Sequence, residues 1–411
     1  MLHAVFGMIV LLGVAWLLSE NRRVIHWRLI VAGAALQVLI ALLMLKAAPF
    51  RQLFLGLNAM VGALETATRA GTSFVFGYLG GGPLPFAETT PGGSFSLAFQ
   101  ALPLVLIIGA LTALFYYWRI LPKVVQAFSW LLRTTMGIGG ALGVVASGCI
   151  FLGMIEAPLL IRPYLVRMTR SELFAMMATG LSCIAGTMLV LYATVLQKVI
   201  PDALGHILTA SIIHAPAALV VASIIVPETE EQTLGGEISS YDASSAMDAL
   251  TKGTWDGLKI LVNIVALLIV FVALVKLANI GLGELPDIAG APLTLERMLG
   301  LLLAPVVWLI GVPWQEAVTA GSLMGIKIVL NEFLAYIQFS GLPEAALSPK
   351  SRLIMTYAMC SFANLGSLGI LIGGLGTLCP ERRNEIVGLG FKALLAGVLA
   401  SLMTGAVVGM L

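Results

Sequence analysis

Charge is what this chain of 411 residues has least of: lysine, arginine, aspartate and glutamate together make up 11% of it. A soluble domain carries about 25%. So few charges cannot cover the surface of a water-soluble fold of this length, so independent soluble domains are excluded. The deficit is matched by a hydrophobic share of 59% and a mean hydropathy of +1.01, which exclude disorder as well. Nor is one sign in excess. The 23 basic and 21 acidic residues leave a net charge of +2, too weak a field to hold nucleic acid. Cysteine is scarce too. Cys149, Cys183, Cys360 and Cys379 lie in apolar surroundings without C-x-x-C spacing, which argues against a metal site or a secreted disulfide scaffold. They read as small packing thiols. Also missing is any lysine or arginine ahead of the first apolar run, Met1 to Leu18; Arg22, Arg23 and Arg28 follow it. A cleaved signal peptide has the opposite order, so the run is a first membrane helix with its N-terminus outside.

What is present is a series of apolar runs about 20 residues long. They predict spans near 3–19, 29–47, 98–118, 173–197, 207–226, 258–279, 353–377 and 387–409. Arg119, Lys123 and Arg133 follow the third span, and Arg162, Arg167 and Arg170 precede the fourth. Lys252 precedes the sixth, and Arg382 and Arg383 separate the last two. With an outside N-terminus all of these fall on one side, which makes that side cytoplasmic and puts both termini outside. The expected fold class is an all-α polytopic membrane protein.

Two stretches are too long for one crossing and too short for two: 136–168, with Glu156 near its middle, and 313–342, with Asn331 and Glu332 at its middle. Their flanking charges put both ends of each on one side, so each is expected to be a re-entrant hairpin with a polar tip. Amphipathic segments at 120–135 and 294–310 precede them and read as interfacial helices. After each hairpin comes an interrupted span, at Ala185-Gly186-Thr187 and at Asn364-Leu365-Gly366-Ser367. This recurrence with reversed sidedness is the mark of an inverted repeat, with units at 98–226 and 254–411. Residues 1–97 then supply N-terminal scaffold helices and a periplasmic interfacial segment, and the acidic stretch 227–253 a cytoplasmic linker.

The polar tips carry the chemistry. Glu156-Ala157-Pro158 reads as a helix start, and Asn331 as the N-cap of the half-helix that follows it. Both would aim unpaired N–H groups and a partial positive charge at the membrane interior. Carboxylates at that depth are costly unless paired or hydrated, which makes Glu156 and Glu332 functional candidates. The bland alternatives are an ion pair of these glutamates with Lys327 and an interhelical hydrogen bond for Asn364 and Ser367. His206 and His214 could line a proton path but read more simply as packed histidines.

These residues resemble the concentrative nucleoside transporter family, the NupC-like symporters, over nearly the whole chain. The similarity rests on Asn331-Glu332-Phe333-Leu334-Ala335-Tyr336 and on Ser361 through Ile370, which reads Ser-Phe-Ala-Asn-Leu-Gly-Ser-Leu-Gly-Ile. Gly153 with Glu156-Ala157-Pro158, Ile184-Ala185-Gly186-Thr187 and Phe74-Val75-Phe76-Gly77 support it. The resemblance implies eight transmembrane helices, two opposed hairpins and a homotrimer in a bacterial inner membrane. Each protomer would move a transport unit against a fixed scaffold. It also implies that Glu332, Asn364 and Ser367 bind ribose hydroxyls and that Phe362 lies near the base.

Two departures stand out. The family's first tip usually offers an amide and a hydroxyl to the base, where this chain has Gly153-Met154-Ile155-Glu156, so base selectivity is expected to be relaxed or changed. Sodium-coupled members place an asparagine where Cys149 stands here. Thiol is a poor ligand for a hard cation, although Thr187 could give one oxygen. The expected activity is therefore ion-coupled nucleoside uptake, by protons rather than sodium, with Glu156 or Glu332 as the protonatable group. No resident cofactor is expected. The nearest alternative is a symporter of another ribosylated or small organic solute on the same fold. An intramembrane enzyme is more remote, since neither a paired-aspartate motif nor a Gly-x-Ser-x-Gly elbow is found.

Overall fold

The apolar runs become helices, and the polar interruptions become the places where helices stop. The structure is a computed structural model that describes residues 2–88, 93–235, 238, 243–287 and 292–411. Part of the 227–253 stretch therefore lies outside the described residues. The N-terminal helices are α1 (Leu2–Leu17), α2 (Trp27–Lys46) and α3 (Ala48–Phe76). Then come α4 (Leu104–Tyr117), α5 (Ile120–Met136), α6 (Gly140–Gly148), α7 (Glu156–Leu159), α8 (Arg170–Ser182), α9 (Gly186–Leu196) and α10 (Ala203–Ile225). The second half holds α11 (Ala246–Gly283), α12 (Leu295–Leu309), α13 (Trp314–Val329), α14 (Glu332–Ser340), α15 (Pro349–Met359), α16 (Leu365–Leu378) and α17 (Arg383–Met410). No strand occurs among the described residues.

Six of the eight expected spans are long and apolar enough to cross a membrane among the described residues, and the shorter apolar helices His3–Leu17 and Leu365–Leu378 fall in the other two. The order of elements from α4 to α10 recurs from α11 to α17: a span, a shorter helix, a hairpin, a broken helix and a span. The helices expected at 120–135 and 294–310 are α5 and α12, and α12 turns into α13 through 116°. Helix α10 is buried along nearly its whole length, as a helix apolar on all sides should be, and α17 is buried along most of its length from Ala393 onward. Helix α11 is the reverse, with only Ala249, Gly253 and Gly257 buried.

Two features differ from the sequence expectation, in the first hairpin and at the start of α11. Helix α3 lies where no span was expected, and among the described residues it is not one of the helices apolar enough to cross a membrane. Its mixture of Glu65, Arg69 and apolar residues gives a helix without an apolar run. The first hairpin has α6, the single turn α7 and a 3-10 turn at Arg162–Tyr164 as its regular limbs, because Gly153 before α7 and Pro163 after it break a longer helix. Helix α11 starts at Ala246, inside the stretch assigned to the linker, because Ser245 caps it by accepting from the Asp248 N–H. The start of that linker is not free either: Thr233 donates to the Glu172 carboxylate at the foot of α8.

The two broken helices meet at their breaks. The Phe362 N–H, in the gap between α15 and α16, points at the Cys183 carbonyl in the gap between α8 and α9, at 3.4 Å. The first hairpin closes on the same point, with the Gly186 N–H donating to the Phe151 carbonyl at 3.0 Å. A Cβ at Gly186 would lie 2.8 Å from that oxygen, so only glycine allows this approach.

Candidate functional site

Two broken helices and two hairpins whose ends converge leave unpaired backbone and polar side chains around one space. It is a cavity of about 900 Å³. Gly153, Met154, Ile155 and Glu156 of the first hairpin line it, as do Thr187 and Tyr192 of α9. Leu330, Asn331 and Glu332 at the second tip, and Phe362, Asn364 and Ser367 at the second break, line it too. Helix α11 contributes Asp256, Asn263 and Phe271 among others.

The second tip folds as its sequence dictates. Asn331 is extended and its Oδ1 accepts from the Leu334 N–H at 2.8 Å, so α14 begins at Glu332. Asn364 does the same for α16, accepting from the Ser367 N–H at 2.7 Å. That cap turns the Asn364 amide nitrogen toward Glu332, and it donates to Oε2 at 2.8 Å. The Tyr192 hydroxyl donates to Oε1 of the same carboxylate at 2.5 Å. Tyr192 is itself held by stacking on Phe333 and by the Tyr336 ring. Glu332 is 4% exposed, Asn364 2% and Ser367 8%. A carboxylate has about four lone-pair sites, and two are used here. The remaining two, the second Asn364 amide hydrogen and the Ser367 hydroxyl, form a polar corner able to hold a pair of adjacent hydroxyl groups. Phe362, half-buried, offers an aromatic surface in the same cavity.

The other expected residues divide. Glu156 is exposed to the cavity, Thr187 lines it, and Met154 and Ile155 give the first tip an apolar face. Cys149 does not line the cavity; it ends α6 and is 2% exposed. The partial positive charge expected at the first tip is not built, because α7 is one turn and too few peptide dipoles align there. The alternative pairing of a glutamate with Lys327 is not made among the described residues: the fully buried Lys327 ammonium donates to the Ala363 carbonyl at 3.0 Å. Two contributions were not foreseen. Tyr192 gave no signal beyond a hydroxyl on an apolar helix, and Asn263 was hidden inside the longest apolar run.

Comparison with known proteins agrees with this arrangement. Family models match in three blocks: "Na+ dependent nucleoside transporter N-terminus" over residues 6–79, "Nucleoside recognition" over 98–198, and "Na+ dependent nucleoside transporter C-terminus" over 206–409. The nucleoside permease NupC of Helicobacter pylori is 36% identical over 100% of this chain and 97% of its own length. The chain belongs to the concentrative nucleoside transporter family. Sodium/nucleoside cotransporter 1 of Rattus norvegicus is 33% identical over 96% of this chain and 61% of its own length. Among solved structures, CNTnw in an inward-facing substrate-bound state superposes with a TM-score of 0.90 at 36% identity, covering 100% of this chain and 97% of that one. A structure of CNTnw in an intermediate state gives 0.91. The re-entrant fold is therefore that of this transporter family, and the relatives are transporters rather than enzymes.

Proposed function

We propose that this chain takes up nucleosides by ion-coupled alternating access, with Glu332, Asn364 and Ser367 holding the ribose and Phe362 facing the base. The observation that carries the reading is the Glu332 carboxylate. Tyr192 and Asn364 each hold one of its oxygens, and all three residues line a cavity of about 900 Å³. Met154 and Ile155 face the base with methyl groups and leave no amide or hydroxyl to read its edge. This favours tolerance of both uridine and adenosine over a strict pyrimidine preference.

A neutral nucleoside gains nothing from the membrane potential. One accompanying cation gains about 2.3 kcal/mol per 100 mV, enough for about fifty-fold accumulation. The proton is the favoured cation, with Glu332 or Glu156 as its carrier, because Cys149 brings a thiol where a hard cation needs oxygen. Two of the three family models and the rat relative carry sodium in their names, so the coupling ion is where this chain is proposed to differ. The proposal includes a homotrimer in a bacterial inner membrane with both termini outside. The wide cavity then opens to the cytoplasmic end, where Arg162 and Lys252 line it.

The mutational test is direct. Glu332→Gln and Asn364→Ala are each expected to abolish uptake of radiolabelled uridine while the amount of membrane-inserted protein stays the same. Normal uptake in either variant would end the ribose-site assignment.

A further inference from the structure

Behind the polar corner of Glu332, Asn364 and Ser367 lies a lysine that does not line the cavity. Lys327 stands in the last turn of α13 and is fully buried. A buried ammonium is costly unless opposite charge and hydrogen bonds compensate it. Part of the compensation is local, since the C-terminal end of a helix carries a partial negative charge. The rest comes from the site. Lys327 Nζ donates to the Ala363 carbonyl at 3.0 Å, its single hydrogen bond among the described residues. That carbonyl belongs to the peptide bond leading into Asn364, whose side chain caps α16 and donates to Glu332. Glu332 itself is five residues beyond Lys327 (332 − 327), across the turn at Leu330 and Asn331 that joins α13 to α14.

Titratable groups from several neighbouring elements face this pair. Around Glu332 they are Tyr192 of α9, Tyr336 of α14, Cys360 at the end of α15, and Lys327. Around Lys327 they are Glu332, Cys360 and His214 of α10. Lys327 is the one lysine or arginine in this set, and Glu332 the one carboxylate. The two make no contact ion pair, so their attraction acts through a buried interior, where it is screened less than at a surface.

We propose that Lys327 is a positioning residue for nucleoside binding: it sets Asn364 through the Ala363 carbonyl and supplies the counter-charge of Glu332 without touching the solute. The inference rests on the ribose-site reading. A neutral solute then meets a site already balanced in charge, and binding it adds no net charge to the membrane interior.

The test is equilibrium binding of radiolabelled uridine to the purified protein in detergent, without an ion gradient, from acid to alkaline pH. Lys327→Met should move the acid midpoint of binding upward by about one pH unit or more, the effect of taking a cation from beside a carboxylate. Lys327→Arg keeps the charge and should return the midpoint to that of the unsubstituted protein. A midpoint unmoved in Lys327→Met, or moved equally in Lys327→Arg, would overturn the counter-charge. A second measurement needs no uridine. Melting temperatures in detergent are compared for Lys327→Met, Glu332→Gln and the double variant. Each single change strands one buried charge, so the double variant should melt above either of them. Decreases that simply add would overturn the pairing, and this comparison decides wherever a variant binds no uridine at any pH. Absence of uridine binding in the unsubstituted protein would remove the ribose-site reading and leave the pairing to the melting temperatures.

Discussion

At the scale of the residue, the site depends on how Glu332 spends its lone pairs. Tyr192 and Asn364 each take one, which fixes the carboxylate in one orientation before any solute arrives. Tyr192→Phe removes one hydrogen bond to a group that is charged when ionised, worth about 1.5–3 kcal/mol. Uptake efficiency should fall about ten- to a hundredfold, measured as initial rate over uridine concentration, while Glu332→Gln should leave none. Equal rates in Tyr192→Phe and the unsubstituted protein would show that the carboxylate is oriented by other means. Glu332, Asn331 and Asn364 were legible in the sequence because polar residues within apolar runs are costly and the N-cap pattern has a local cause. Tyr192 was not legible, since a tyrosine on an apolar helix packs as readily as it binds. Cys149 was legible as a departure from the family pattern, but its withdrawal from the cavity wall depends on the course of the first hairpin.

At the scale of the element, close backbone approach positions the parts. Helix α4 lies against α11 through Gly109, Gly253 and Gly257; a Cβ at Gly253 would lie 2.5 Å from the Gly109 carbonyl. Gly253→Leu should therefore push α11 away from α4 and lower the melting temperature in detergent, whereas Gly281→Leu, with nothing within 4 Å, should not. At the break in the fourth span, Gly186→Ala forces the first hairpin off the Phe151 contact and should cut uptake at unchanged protein level. Uptake unaltered by Gly186→Ala would mean that this contact does not position the site. Both hairpins and both breaks could be read from length and polarity. The irregular second limb of the first hairpin could not, because Pro158 is equally compatible with a first helical turn and with the end of a short one. The face of α11 was also hidden: single polar residues in a long apolar run give no sign of which neighbour they meet.

At the scale of the whole molecule, distant segments are tied by charge at one end. Glu20, just beyond α1, binds Arg170 at the start of α8 at 2.9 Å and Lys392 in α17 at 2.8 Å. The Arg170 guanidinium, with Lys392 beside it, holds the Glu20 carboxyl down at about 2 from its ordinary 4.5. A depressed carboxyl contributes stability that is fully present above about 4.5 and is lost as pH falls toward 2. Both partners are partly exposed, so the contribution is about 1 kcal/mol or less. Glu20→Gln should lower the detergent melting temperature slightly at neutral pH, with the difference from the unsubstituted protein closing between pH 4.5 and pH 2. A difference independent of pH would mean that the carboxylate charge is not the cause. The basic residues from which an orientation was expected include Arg170 and Arg382, and Arg382 reaches the Leu165 and Met168 carbonyls at the foot of the first hairpin. The pattern of charge along the chain was therefore readable before the fold, whereas the tie between α1, α8 and α17 needed three dimensions.

The most direct measurement is uptake of radiolabelled uridine and adenosine into proteoliposomes under an imposed proton gradient, an imposed sodium gradient, or neither. The account predicts that both nucleosides accumulate with the proton gradient and that sodium changes nothing. Accumulation driven by sodium alone would contradict the role given to Cys149, and no uptake of either nucleoside under any gradient would contradict the account at its centre.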